Sequence, residues 1–298
     1  MSKKSLKTAV LFLVFNRLET TKQVFQAIRE AQPLRLYIAS DGPRATHPSE
    51  KKEVKAVRDY LLSNLDWQCE VSTLLRESNL GCKHAVENAI TWFFDHEEMG
   101  IILEDDCLPS DSFFSYCQEL LEEYRNDKRV MMISGLNKQE KWETASNDYF
   151  FSHLGGIWGW ASWSRAWEFY DADMSALDRI LRKHYLRGLL GRRLGKLREK
   201  QMIKIRAKNI DTWDFHWALS RHMNSGLSCV PSKNLVTNIG FGENATHTVS
   251  SISHEELLNY EMNFPMRKNK LVMADLEYDE RYFKKINVLQ KIRKIIGF

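Results

Sequence analysis

The chain has no apolar run approaching the roughly 18–20 residues that a membrane-spanning helix needs, no internal repeat and no low-complexity linker. Cysteine is scarce: five residues, Cys69, Cys82, Cys107, Cys117 and Cys229, odd in number and without metal-like spacing. That pattern argues against a disulfide framework or a cysteine-held metal, and it fits reduced, packed thiols in a cytosolic setting. The start imitates a secretory leader, with Lys3, Lys4 and Lys7 ahead of the apolar Ala9–Phe15. This stretch spans only seven residues and runs into Asn16-Arg17 with no small-residue cleavage site, so it reads as a first strand. Strong net charge is also missing. The balance over 298 residues is +4, and no nucleic-acid partner is expected. The charge is uneven, however: Arg182 to Lys208 holds eleven Lys or Arg and one acid, Glu199. Such a run suits an anionic phospholipid or acidic glycan, and equally a solvated basic helix pair.

Strand and helix patterns alternate from the N-terminus. Ala9–Phe15 is a continuous apolar run of the kind buried in parallel sheets. Glu19–Glu30 places Val24, Phe25 and Ile28 on one helical face. Leu34–Ala39 is a strand ending in Ser40-Asp41-Gly42-Pro43, and Ser49 is placed to cap the following helix. Cys69–Leu75, the helix Gly81–Asp95, the strand Met99–Leu103, the helix Phe113–Tyr124 and the strand Val130–Ile133 continue the series. This alternation predicts an α/β domain with a mostly parallel sheet flanked by helices. Beyond about Asn137 the pattern changes to a Gly- and Trp-dense stretch, Gly155–Trp163, then the basic region and a helix beginning near Asp211-Thr212-Trp213-Asp214. Leu227–Val230 and Leu235–Asn238 are strand-like and precede the polar, Gly-rich loop Gly240–His247. The expected division is a ligand-binding half at 1–136, a second half of the same domain at 137–250, and an extension at 251–298.

Glu104-Asp105-Asp106 ends the apolar strand Met99–Leu103, with a turn expected at Cys107–Ser110 and a helix opening at Asp111. In open α/β sheets ligands sit at the carboxyl ends of strands. Adjacent carboxylates there repel one another unless something positive lies between them. A hard divalent cation shared with a substrate's phosphates is the usual remedy. A solvated acidic turn is the plainer alternative, and the strand-to-helix setting tips the reading towards a metal–phosphate site.

Several motifs in one order give the chain a family likeness: Asn16-Arg17, Ser40-Asp41-Gly42, Leu103-Glu104-Asp105-Asp106 with Phe113-Phe114, Trp158-Gly159-Trp160, Trp213-Asp214, and the glycine loop ending in His247. Over about residues 8–250 the chain resembles the GT-A nucleotide-sugar glycosyltransferases, most closely the N-acetylglucosaminyltransferase I type and its bacterial relatives. The resemblance implies a Rossmann-like GT-A fold with an acceptor-side C-terminal half. It implies that Asp106 coordinates Mn²⁺ (or Mg²⁺) carrying the donor diphosphate, that Asp105 bonds the ribose and that Glu104 bonds the donor sugar. Asn16, Arg17 and Asp41 would line the nucleotide pocket, Asp214 would be the catalytic base, and Gly242 and His247 would belong to a loop ordering over the diphosphate. Phe215 stands where the family has a second acid after Trp-Asp.

The chemistry of glycosyl transfer asks for the same parts. Positive charge develops at the anomeric carbon and negative charge on the leaving phosphate. An inverting reaction needs one carboxylate to take the acceptor's proton. Asp214 is the first choice, with Asp211, which alternatively caps its helix, and His216, which alternatively packs among aromatics, as the others. Lys83 and His84, near a helix N-terminus, are weaker candidates for facing the nucleotide. Trp158 and Trp160 either grip sugar on the acceptor side or pack the core. The expected acceptor is a hydroxyl of a bacterial surface glycan or a lipid-linked glycan, the expected location the cytoplasm or the inner membrane face. The tail, with Phe283, Ile286, Leu289, Ile292, Ile295 and Ile296 between basic residues, is a basic amphipathic helix suited to an anionic membrane or to docking on its own domain. A sugar-1-phosphate nucleotidyltransferase is the alternative enzyme, although Phe15–Glu19 lacks the glycine its first loop would carry. A catalytically inactive glycan- or membrane-binding relative is the alternative outside catalysis.

Overall fold

The computed structural model describes residues 5–143, 147–240 and 257–282. Strand and helix alternate strictly through β1 (Ala9–Val14), α1 (Leu18–Ala31), β2 (Arg35–Ser40), α2 (Glu50–Ser63), β3 (Glu70–Leu75), α3 (Gly81–Phe94) and β4 (Met99–Glu104). There follow β5 (Cys107–Pro109), α4 (Asp111–Glu123), β6 (Val130–Ser134), β7 (Tyr149–Ser152) and β8 (Trp160–Trp163). Five helices come next, α5 (Ser164–Trp167), α6 (Leu177–Lys183), α7 (Tyr185–Leu189), α8 (Gly191–Ala207) and α9 (Asp214–Met223), and then β9 (Leu227–Pro231) and β10 (Val236–Asn238).

Eight strands form one sheet in the order β3-β2-β1-β4-β8-β6-β9-β7. Strands β1, β2, β3, β4, β6 and β9 share one direction, and β7 and β8 run against it. The protein is therefore a mixed, mostly parallel α/β sheet flanked by helices. Because β1 is covered on both faces, every one of its residues is apolar and its alternate side chains sort into two cores. Val10, Phe12 and Val14 join Val24, Phe25 and Ile28 of α1 and Phe113 of α4. Ala9, Leu11 and Leu13 join Ala89, Ile90 and Phe93 of α3 and Trp160, Trp167, Trp213 and Trp217. Each fully buried large apolar side chain contributes about 1.5–3 kcal/mol, so this two-sided burial fixes the strand ends that carry the acids.

Two sequence expectations are corrected. Cys107–Pro109 is not a turn but the short strand β5, paired antiparallel with β10 (Leu108 opposite Thr237). Ser49 precedes α2 in a helical conformation and makes no side-chain cap. The Trp-rich stretch, to which the sequence assigned no element, contains β8, which inserts antiparallel between β4 and β6. The basic region folds as α6–α8 around Leu177, Ile180, Leu186, Met202 and Ile205. Its one acid, Glu199, is buried and bonded by Arg187. Among the described residues no helix is long and apolar enough to cross a membrane. The amphipathic tail beyond Tyr282 lies outside the described residues, as do Gly242 and His247.

Candidate functional site

The carboxyl ends of β1, β2 and β4 and the first turn of α3 surround a cleft of about 200 Å³. It gathers Arg17, Asp41, Glu104, Asp105 and Asp211 from the sequence reading. It also adds Arg44, Arg76 and Asn79, which that reading missed.

Arg17 stands at the centre of the acids. Its Nη2 donates to Asp105 Oδ1 and, at 3.0 Å, to Asp106 Oδ2. Asp105 Oδ2 also accepts from the backbone N–H of Phe15 at 3.2 Å. Burial works against the Arg17 cation, but Asp105 and Asp106 outweigh it and hold the guanidinium above its usual value. Burial pushes the Asp105 carboxyl up, opposed by Arg17. Burial, then the charges of Asp106 and Asp105, push the Glu104 carboxyl up. Glu104 Oε1 is sealed from solvent and has no hydrogen-bond partner among the described residues. A buried carboxylate oxygen left unpaired is costly, and it marks a place where a cation or hydroxyl donor fits.

The other members have more settled partners. Asp41 accepts from the backbone of Gly42 and Leu80 and, at 2.9 Å, from Asn79 Nδ2, fixing the loop after β3 to the end of β2. Arg58 of α2 braces the same corner by donating to Ser40 Oγ at 2.9 Å and to the carbonyls of Asp41 and Arg76. Asn16 donates to Glu50 and Glu53 at the rim. Arg44 pairs with the buried Glu50 and lies over the Phe15 ring. Apart from Asp41–Gly42 and Arg44–Glu50, these contacts join residues far apart in sequence, so no local pattern announces them.

Asp211 caps a helix, but not its own. It accepts from the N–H groups of Cys82 at 2.8 Å and Lys83 at 2.7 Å, closing the open end of α3. Lys83 turns its ammonium to the carbonyl of Ala172 at 2.6 Å, and His84 turns to Glu87 at 2.7 Å. Neither side chain lines the cleft. Trp160 is fully buried and stacks on Trp213 at 5.6 Å, so it packs the core instead of presenting a sugar platform. Trp158 is partly buried against the other core. His216 is buried, and burial followed by Lys83 lowers its basicity, which leaves a packed, neutral ring.

Asp214 opens α9 and stays half-buried. Burial raises its carboxyl above the ordinary value, while a hydrogen bond from the Thr212 hydroxyl, the Phe215 N–H and the charge of Arg198 oppose that rise. Burial and then the charges of Glu104, Asp211, Asp214 and Asp41 push the Cys82 thiol up to about 12. Neither Asp214 nor Asp106 is among the residues that line the cleft, whereas Asp211 is. Among the described residues, no three His, Cys, Asp or Glu side chains converge as a metal cage. A cation here would rest on one or two carboxylates and on oxygens brought by a ligand, an arrangement that the unpaired Glu104 Oε1 and the partly exposed Asp106 fit.

No protein-family model and no curated protein matches the chain. Several solved structures are similar at low identity. The mannosyltransferase PcManGT from Pyrobaculum calidifontis, in complex with GDP-Man and Mn²⁺, is 14% identical with a TM-score of 0.35, over 52% of this chain and 44% of that one. A UTP-bound UGPase from Acinetobacter baumannii is 10% identical with a TM-score of 0.38, over 78% of this chain and 88% of that one. The glycosyltransferase GlyE of Streptococcus pneumoniae is 11% identical with a TM-score of 0.29, over 61% of this chain and 40% of that one. The chain thus spans less than half the length of the two glycosyltransferases.

Proposed function

We propose that the protein is a metal-dependent, inverting glycosyltransferase that moves a sugar from a nucleoside-diphosphate donor to a hydroxyl of a surface glycan or lipid-linked glycan. The observation that carries this reading is the acid triplet gathered on Arg17 at the carboxyl end of β4, with Glu104 Oε1 left unpaired among the described residues. Asp214, with a raised carboxyl at the head of α9, is the acid in the second half that the reaction would call on. Arg17 and Arg76 would meet the diphosphate, since guanidinium groups suit phosphate oxygens. Asp105 would accept from the ribose and Glu104 from a hydroxyl of the donor sugar. Asp214 would take the proton of the attacking acceptor hydroxyl. Asp106, with Glu104, would hold Mn²⁺ or Mg²⁺, and when bound the ion neutralises charge on the leaving diphosphate. Nothing in this scheme calls for a covalent nucleophile.

Arginines 17, 44 and 76 on one cleft equally suit a triphosphate, which keeps a sugar-1-phosphate nucleotidyltransferase as the second reading. The first test is thermal melting with UDP, GDP, CMP and dTDP, each with and without Mn²⁺. A ligand at 100 times its Kd adds about 2.7 kcal/mol, so a rise with one diphosphate only when Mn²⁺ is present supports the transferase and names the donor base. Release of pyrophosphate from a nucleoside triphosphate and a sugar 1-phosphate would move the assignment to the second reading. Failure of every nucleotide to bind would remove both.

A further inference from the structure

We propose that Arg17 is a built-in counter-cation that competes with the divalent metal for Asp106, so that metal is captured only together with the donor diphosphate. The inference deepens the reading above and rests on it. One nitrogen of Arg17, Nη2, serves both carboxylates: Asp105 Oδ1 and Asp106 Oδ2, the second at 3.0 Å. The pair is well shielded, with side-chain exposures of 22% for Arg17, 3% for Asp105 and 15% for Asp106. Shielding of this kind makes the contact strong and makes loss of either charge expensive. Among the described residues Asp106 has little else: its Oδ1 meets the Cys107 thiol at 3.3 Å, a weak donor. The carboxylate that a metal needs is therefore already neutralised by the protein.

Two further observations show that the arginine is placed to let go. Arg17 Nε is buried with no hydrogen-bond partner among the described residues, so this guanidinium still has a donor to offer. The backbone also closes on the same point. A Cβ on Gly240 would lie 2.4 Å from Asp106 Oδ2 and 2.6 Å from Arg17 Nη1, so a larger residue there would have to displace one of these two side-chain ends. A diphosphate entering the cleft presents oxygens that match the guanidinium fork better than a shared single nitrogen does. Arg17 would then move its second bond from Asp106 to phosphate, and Asp106 Oδ2 would be free for the cation. Asp105, the more deeply buried partner, would keep Arg17 anchored through the exchange. The expected consequence is ordered loading: weak metal binding alone and strong metal binding with the nucleotide.

The test is direct measurement of Mn²⁺ binding to the purified full-length protein, by titration calorimetry or by loss of the free Mn²⁺ paramagnetic resonance signal, with and without the diphosphate chosen by the melting panel. Wild type should bind Mn²⁺ at least about tenfold more tightly with the nucleotide than without it. Arg17→Gln should tighten Mn²⁺ binding in the absence of nucleotide by about ten- to a hundredfold, the worth of one charge-assisted hydrogen bond. Arg17→Lys separates occupancy from field. It keeps the charge and loses the fork, so competition for the carboxylate predicts tightening here too, whereas a general electrostatic effect predicts no change. Circular dichroism and melting establish that both variants fold. If Arg17→Gln does not fold, Arg17→Lys alone decides. Tighter metal-only binding by Arg17→Lys supports the competition. Unchanged or weaker metal-only binding by Arg17→Lys overturns it, while wild-type nucleotide-dependent Mn²⁺ binding would leave the transferase reading standing. No Mn²⁺ binding by wild type under any condition would overturn the metal-dependent reading and this inference with it.

Discussion

Asp214 receives a proton only if its carboxylate is ionised, and its surroundings set the pH at which that holds. Burial disfavours the charged form, and the Thr212 hydroxyl and Arg198 partly restore it. The folded value therefore lies above that of a free aspartate, and activity should be lost as pH falls through this raised value. Replacing Thr212 by Val removes a donor to the ionised form, so the acid limb of the kcat/KM profile should move to still higher pH. A limb that stays put or moves down would separate Asp214 from the rate-determining proton. Asp214→Asn should keep donor affinity and lower kcat by about 10²–10⁴; near-normal kcat would remove it as base. The acids were legible in the sequence because each ends a strand or opens a helix, where a run of apolar residues stops abruptly. Arg44, Arg58, Arg76 and Asn79 were not legible, because what selects them is the meeting of α2 with the loops after β2 and β3.

At the scale of the element, α3 depends on a residue more than a hundred positions away. Its N-cap residue, Leu80, offers no side-chain acceptor; Asn79 Oδ1 accepts from the Gly81 N–H at 3.1 Å, and Asp211 supplies the acceptors for Cys82 and Lys83 from the approach to α9. A carboxylate there satisfies orphan N–H groups and also suits the positive end of the helix dipole. Asp211→Ala should cost about 0.5–2 kcal/mol, read as a lower urea midpoint with an unchanged slope. Because Cys82 and Gly81 line the cleft, nucleotide affinity should fall as well. Asp211→Asn retains an acceptor and should recover most of the stability. A stability change within about 0.5 kcal/mol for the alanine variant, the range of an ordinary surface substitution, would show that the cap is dispensable. From its aspartate alone the helix start at 211–214 reads as a local cap, and only the tertiary contact reveals which helix is served. The same limit explains the strands. β1 and most of β4 are continuous apolar runs and declare themselves, whereas β8 mixes tryptophans with small residues and is buried on both faces, so its period is hidden.

At the scale of the whole molecule, the described part of the C-terminal segment, residues 257–282, ties the β7 edge of the large sheet to α4 and to the small β5–β10 sheet. Tyr260 N–H donates to the Asn234 carbonyl at 2.8 Å beside β10, and Glu261 accepts from the N–H groups of Asp111 and Ser112 at the start of α4. That helix follows the acid triplet through β5, so the strap holds the element directly behind Asp106. Farther on, Asp275 N–H donates to the Phe151 carbonyl at 2.7 Å, and Asp279 meets His153 at 2.9 Å. Between them Tyr278 is 1% exposed, with ring centroids 4.6 Å from Phe150 and 5.3 Å from Trp142. An aromatic side chain buried this completely behaves as core, whatever its distance from the other strands in sequence. Tyr278→Ala should therefore cost about 3–5 kcal/mol, the usual loss for truncating a large buried aromatic ring. Tyr278→Phe, which keeps the ring and loses only the acceptor for Lys138 N–H at 3.1 Å, should cost about 1 kcal/mol. Equilibrium urea unfolding distinguishes the two, and the transition should remain a single step for both, since the segment crosses onto the same sheet that carries the cleft. A small effect of Tyr278→Ala, or a separate early transition for the C-terminal segment in wild type, would show that residues 257–282 are an independent appendage and that the cleft owes nothing to them.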